Sequence, residues 1–204
     1  MARRADHSRD ELADLVISAA EALACEEGLR GVAMRRIATA IGYAPGSIYN
    51  AVGDLDEVLL RVNARTLKRL RVHLAGVVDP AGAPLDNALA VADGYLDFVF
   101  RQPRLWGLIL EHMLPKGSAF PIWYEEALGE TMRLVDDVLK PLIVDEEERR
   151  RSVATLWASL HGLASLSTSG KLAVVDTDDP HAMAHLLIRR FLEGAGPRSQ
   201  AGAV

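Results

Sequence analysis

The chain has 204 residues, half of them hydrophobic, and a formal net charge of -5. That length fits one domain, or a small module joined to a larger one, with enough apolar residues for a sizeable core. The negative total excludes a protein that coats nucleic acid with a uniformly basic surface, so any such contact must rest on local charge.

In chain order, the N-terminus MARRADHSRDEL lacks the apolar run of a signal peptide. A first helix is predicted over 8–27, with Ser8 as N-cap and Glu11 completing a capping box. Leu12, Leu15, Val16, Ala19, Leu23 and Ala24 form its apolar stripe, and Gly28 ends it. The single cysteine, Cys25, cannot form an intrachain disulfide and points to an intracellular setting. Next to the stripe, it reads as a small core residue. A second helix, 34–41, carries Ile37, Ala38 and Ile41 at helical spacing. Gly42 then sits where a left-handed turn is cheap for glycine. Pro45 opens a third helix, 45–51, anchored by Ile48 and exposing Ser47, Tyr49 and Asn50. Two short helices joined by a tight turn, with another helix at once after them, make a helix-turn-helix. Its second helix has the geometry that enters a DNA major groove. Arg3, Arg4, Arg9, Arg30, Arg35 and Arg36 give this part a focused basic edge.

Asp54, with Glu57 in the box position, caps a long helix running through Leu59, Val62, Leu67 and Leu70 toward Gly76. Pro80, Gly82 and Pro84 then break the chain. Further helices are predicted over 85–101, 103–114, 121–143, 145–170 and 180–193. The first stops before Pro103 and the second at Pro115, since a residue preceding proline avoids helical angles. Asp145 with Glu148 caps the fourth, and Asp178 or Asp179 the last. The stretch 152–170 has no Lys, Arg, Asp or Glu, but its Ser and Thr suit a buried or interface helix rather than a membrane span. Residues 195–204 read as a disordered tail. The fold class is all-α with about nine helices, without strand pattern or internal repeat.

The order of these elements resembles the TetR family of transcriptional regulators. The likeness rests on Gly28, Ile37-Ala38, Gly42, Gly46-Ser47 and Tyr49, followed by Asp54 and Glu57. Trp157, His161 and Gly162 resemble the Trp-His-Gly signature of one C-terminal subclass. The resemblance implies a DNA-binding domain at 8–53, a ligand-binding and dimerisation bundle at 54–194, and double-stranded operator DNA as partner. It also implies a small-molecule effector. The chain departs from the family pattern at Ala33 and Ala44, where hydroxyl caps are usual, and at Asn50-Ala51-Val52 and Leu55, where an aromatic pair and a Lys are usual. The lost hydroxyls and the lost Lys are typical phosphate contacts in the family, and losing each also removes a helix cap or a charge.

Phosphate contacts place a protein on DNA and base contacts specify sequence. Arg35 is the expected phosphate clamp, and Tyr49 can donate its hydroxyl to phosphate. Asn50 can pair bidentately with adenine, and Ser47 can bond base or phosphate. Ala44 and Pro45 can touch a thymine methyl, Tyr43 the sugar-phosphate wall, and Gly46 completes the set. Arg36 is divided between phosphate and an ion pair. One short helix reads few base pairs, so two copies about 34–36 Å apart are needed. The expected homodimer contact is the last two helices, through Val153, Leu156, Leu160, Ala164 and Ser167 and through Met183, Leu186, Leu187 and Phe191. Burial of those faces within one subunit is the alternative.

Tyr95, Phe98, Trp106, His112, Trp123, Trp157 and His161 are the candidate pocket residues for an apolar or aromatic effector. His181 and His185 have a spacing a metal could use, but read as a solvated pair, and no metal or cofactor is expected. Without a Gly-rich phosphate loop, zinc-spaced Cys/His set or nucleophile elbow, no enzyme is indicated. The expected function is a cytoplasmic, ligand-released repressor. The alternative is a helical ligand-binding or adaptor protein with a weakened DNA-binding head.

Overall fold

The structure, a computed structural model, describes residues 7–175 and 179–195. Among them are nine α-helices and no strand: α1 Arg9–Glu27, α2 Met34–Ile41, α3 Pro45–Val52, α4 Leu55–Val77, α5 Pro84–Arg101, α6 Pro103–Glu111, α7 Ile122–Leu139, α8 Glu146–Thr168 and α9 Pro180–Ala195. Short 3-10 turns occupy Leu29–Gly31 and Leu172–Val175. No helix among the described residues is long and apolar enough to cross a membrane. Arg3, Arg4, Asp178 and the tail from residue 196 lie outside the described residues.

The chain forms two compact units. One comprises residues up to Arg69 with Gln102–Leu128, the other Leu70–Arg101 with the chain from Gly129 onward. In the first unit, α1 starts on the Ser8–Glu11 capping box and stops at Gly28, whose φ is 69°. Its buried face is Leu12, Val16, Ile17, Ala20 and Ala24. The expected stripe is therefore corrected: Leu15 is 36 % exposed, and Ile17 and Ala20 take its place. The reason is that α2, α3 and α6 all pack on α1, so the buried arc is wider than one stripe. Cys25 falls outside that arc and is exposed, contrary to the core reading. The core is completed by Ile37 and Ala38 of α2, Ile48 and Val52 of α3, Val58, Leu59 and Val62 of α4, and Leu105 and Leu108 of α6.

Two helices end earlier than predicted. α6 stops at Glu111 instead of Leu114, because His112 turns extended (φ -75°, ψ 116°) and buries its ring, with Nε2 2.9 Å from Asp56 Oδ1. α7 stops at Leu139 instead of Ile143, because Lys140 precedes Pro141.

In the second unit, α5 packs on α8 and α9, and α8 packs on α9. Gly94 lets α5 approach α4: a Cβ there would stand 3.3 Å from both Leu74 and Val77. Arg149 is buried at the start of α8, donating to Asp136 at 2.9 Å and to the Ile143 and Val144 carbonyls at 3.2 Å. Asp179 caps α9 by accepting from the backbone of His181 and Ala182. His181 and His185 remain open to solvent, and each also meets a carboxylate: they stand 3.0 and 2.8 Å from Asp97 and Asp93, one turn apart on α5.

Candidate nucleic-acid interface and ligand cavity

The helix-turn-helix is held from below by apolar anchors. Ile37 and Ile48 are fully buried, and Gly42 turns the chain between their helices with φ 72° and ψ 28°. With Ile48 and Val52 facing the core, the opposite side of α3 faces solvent: Tyr49 is 51 % exposed, and Ala44, Pro45, Gly46 and Asn50 are exposed with it. Ser47 is half-buried. Neither Ala33 nor Ala44 makes a side-chain cap bond, so the first amides of α2 and α3 lack that partner.

The charges sort themselves around this surface. Arg35 is exposed and makes no ion pair with a described residue, which leaves its guanidinium available to an anion. Arg36 is instead engaged by Glu27, donating through Nη1 at 2.7 Å. The hydrogen bond from Arg36 holds the Glu27 carboxyl below its ordinary range. Beyond α3, Asp54 caps α4 by accepting from the Glu57 amide at 2.9 Å. Asp56 and Glu57 add two carboxylates to the first turn of α4, where His112 meets Asp56 at 2.9 Å and Arg61 meets Glu57 at 2.8 Å.

The chain belongs to the TetR family. A family model of the Tetracyclin repressor-like C-terminal domain matches residues 88–191, half of the chain, and one of the bacterial regulatory proteins of the tetR family matches residues 16–60. This TetR-family chain is 25 % identical over 179 residues to an uncharacterized HTH-type transcriptional regulator of Mycobacterium tuberculosis, covering 87 % of this chain and 78 % of that one. Its fold is similar to that of a protein of unknown function from Rhodococcus sp. RHA1, with a TM-score of 0.75, 20 % identity and coverage of 95 % and 98 %. It is also similar to a possible TetR family transcriptional regulator from Streptomyces coelicolor A3(2), with a TM-score of 0.67, 12 % identity and coverage of 89 % and 97 %. The TetR-family chain is thus a DNA-binding transcriptional regulator, in a family of regulators and not of enzymes.

In the second unit of this regulator, α4, α5, α7, α8 and α9 enclose a small apolar cavity of about 50 Å³. Its wall is chiefly aliphatic, from Leu70 and Leu74 to Met132, Val135, Leu156 and Ile188, with Tyr95 and Trp157 as its rings. The Tyr95 hydroxyl lies 2.9 Å from His161 Nδ1, and Trp157 stacks on His161 at 5.9 Å. Burial pushes the His161 imidazole below its ordinary value. Three of the seven predicted pocket residues therefore meet here. Phe98, half-buried on α5, contacts His73 instead. Trp106, His112 and Trp123 belong to the first unit: Trp106 is core, His112 holds Asp56, and Trp123 lies under Arg61.

Two features carried no signal in the sequence. The aliphatic lining reads as ordinary core, and His7, whose Nδ1 lies 2.7 Å from the Tyr43 hydroxyl, is separated from it by 36 residues.

Proposed function

We propose that this regulator is a cytoplasmic repressor that leaves its operator when a small apolar or aromatic effector binds. The carrying observation is α3, a short uncharged helix fixed by the buried Ile48, with Tyr49 and Asn50 offered to solvent. In this reading residues 8–53 contact DNA and 54–194 bind effector and partner. Arg35 and Tyr49 hold phosphates, with Tyr43 beside them. Asn50 and Ser47 read bases, and Ala44, Pro45 and Gly46 pack on the groove wall.

The cavity beside Tyr95, Trp157 and His161 is the effector site. Ligand pockets hold roughly 300–1,000 Å³, far more than the about 50 Å³ enclosed here. An effector of that size must therefore part the helices around the cavity as it binds. α4 is one continuous helix of 23 residues beginning just after α3, so a displaced C-terminal half moves its other end. The effector must prefer the released form by several kcal/mol, about 5.5 for a full switch.

Dimerisation runs through α8 and α9, with one correction to the expected faces. Val153, Leu156, Leu160 and Ala164 are buried within the subunit, so α8 offers its outer side, including Ala158 and Leu166. On α9, Met183, Leu186, Leu187 and Phe191 form an open apolar patch, and Leu186 is 60 % exposed. Trp157, His161 and Gly162 support membership of the Trp-His-Gly subclass.

Tyr49→Ala and Asn50→Ala test the reading. Each is expected to weaken binding to a selected duplex by about 1–3 kcal/mol while leaving the thermal midpoint nearly unchanged. Wild-type affinity in both would remove α3 from the interface. A chain that binds no duplex with salt-dependent affinity would point to the adaptor alternative.

A further inference from the structure

On the outer side of the helices that wall the apolar cavity lies an open groove of about 960 Å³, lined wholly by residues of the second unit. Cavity and groove use different faces of the same helices. On α4, Leu70 and Leu74 line the cavity, whereas Arg71 and Ala75 line the groove. On α7, Val135 lines the cavity, Arg133 and Asp137 line the groove, and Val138 lines both. Val138 is thus a partition between them. A small-molecule site holds roughly 300–1,000 Å³. The groove has that room, and the cavity, at about 50 Å³, does not.

The polar side chains of the groove are Arg71, Asn87, Glu130, Arg133 and Asp137. Asn87 is committed to Asp79, donating to its carbonyl and accepting from its amide, each at 2.8 Å. Arg71 meets Glu130 at 3.3 Å and so ties α4 to α7. Both partners are partly open to solvent, and such a pair holds two helices weakly. Arg133 and Asp137 are exposed, and neither side chain bonds to a described residue. They stand one turn apart on α7, so one ligand end can meet both. Two guanidinium groups against two carboxylates leave the groove without net charge. An ion entering it is attracted by one free group, repelled by the other, and still loses water. A neutral head that both donates and accepts satisfies the two at once.

We infer that the groove is the outer half of the effector site: it takes the uncharged amide head of an elongated amphipathic molecule whose hydrocarbon end passes Val138 into the cavity. The amide carbonyl accepts from the Arg133 guanidinium, and the amide N–H donates to the Asp137 carboxylate. An occupant of this length wedges between α4 and α7 and loosens Arg71 from Glu130. The inference rests on the cavity as effector site and adds the chemical class that the site takes.

The test uses the full chain and three probes with the same hydrocarbon chain and different heads: octanamide, octanoate and octylammonium. Toluene serves as a headless control. Kd is measured by titration calorimetry at about pH 7, where the two ionic heads are fully charged. The wild type should bind octanamide roughly tenfold more tightly than either ion, which loses its water for no net attraction. Asp137→Asn leaves the groove with one excess positive charge. Octanoate should then tighten about fivefold and octylammonium weaken, the range of one exposed charge pair. Arg133→Gln should do the reverse. Both residues are exposed, so the thermal midpoints and the toluene affinity should stay near the wild type. An ion that matches octanamide on the wild type would overturn the inference. So would a head preference that neither substitution alters, because the head would then lie outside the groove. If toluene binds in either of those cases, the cavity stands as effector site and only the groove is lost. Absence of binding by toluene and by all three probes would sink both readings.

Discussion

Gly42 sets the angle between α2 and α3 with a single left-handed residue at φ 72°. A Cβ built there meets nothing within 4 Å, so the position is chosen for backbone conformation and not for space. Gly42→Ala is therefore expected to cost about 1 kcal/mol of stability, from the left-handed conformation alone. Urea denaturation measures it; an unchanged unfolding free energy would mean that the turn relaxes. Ile48 works differently: it is an apolar anchor with no contact to solvent, which is why the polar face of α3 stays outward.

Between helices, the second unit combines apolar burial with polar ties at definite points. Tyr95 of α5 meets His161 of α8, and Asp93 and Asp97 of α5 meet His185 and His181 of α9. Burial lowers the His161 pKa, so the unfolded chain holds more protons than the folded one between the ordinary and the lowered value. Stability due to this group must then fall as pH drops through that window, below about 6.5. His161→Asn removes the titration. Its urea midpoint should decline less than the wild type's between about pH 7 and about pH 5. Equal declines would assign the acid sensitivity to other groups. The cavity beside this tie is an element-scale property as well: its walls come from five helices, and none of them encloses it alone.

For the molecule as a whole, the open patch of Met183, Leu186, Leu187 and Phe191 is the feature that one chain leaves unfinished. Under the proposed function this patch is part of the dimer contact, as exposed apolar patches often are. Leu186→Glu puts a charge at its most exposed residue and is expected to yield a folded monomer by sedimentation velocity. Operator affinity should drop on the order of a hundredfold or more, because two half-sites no longer bind as one ligand. A dimer that persists in Leu186→Glu would move the interface off this patch.

The sequence by itself determined the helices of the DNA-binding head, because their limits are local: Ser8 with Glu11, Gly28, Gly42 and Pro45 act on backbone within one turn. It also determined the family, since those signals fall in a fixed order along the chain. Tertiary packing decided what depends on distant partners. It rotated the buried face of α1 and exposed Cys25, gave Arg36 to Glu27, ended α6 where His112 reaches Asp56, and buried the α8 face first expected at a dimer contact. It also divided the seven aromatic and histidine candidates between two compact units and brought His7 to Tyr43. Periodicity shows that a residue lies on an apolar or polar face. Which neighbour meets that face is set by the burial of the whole chain at once.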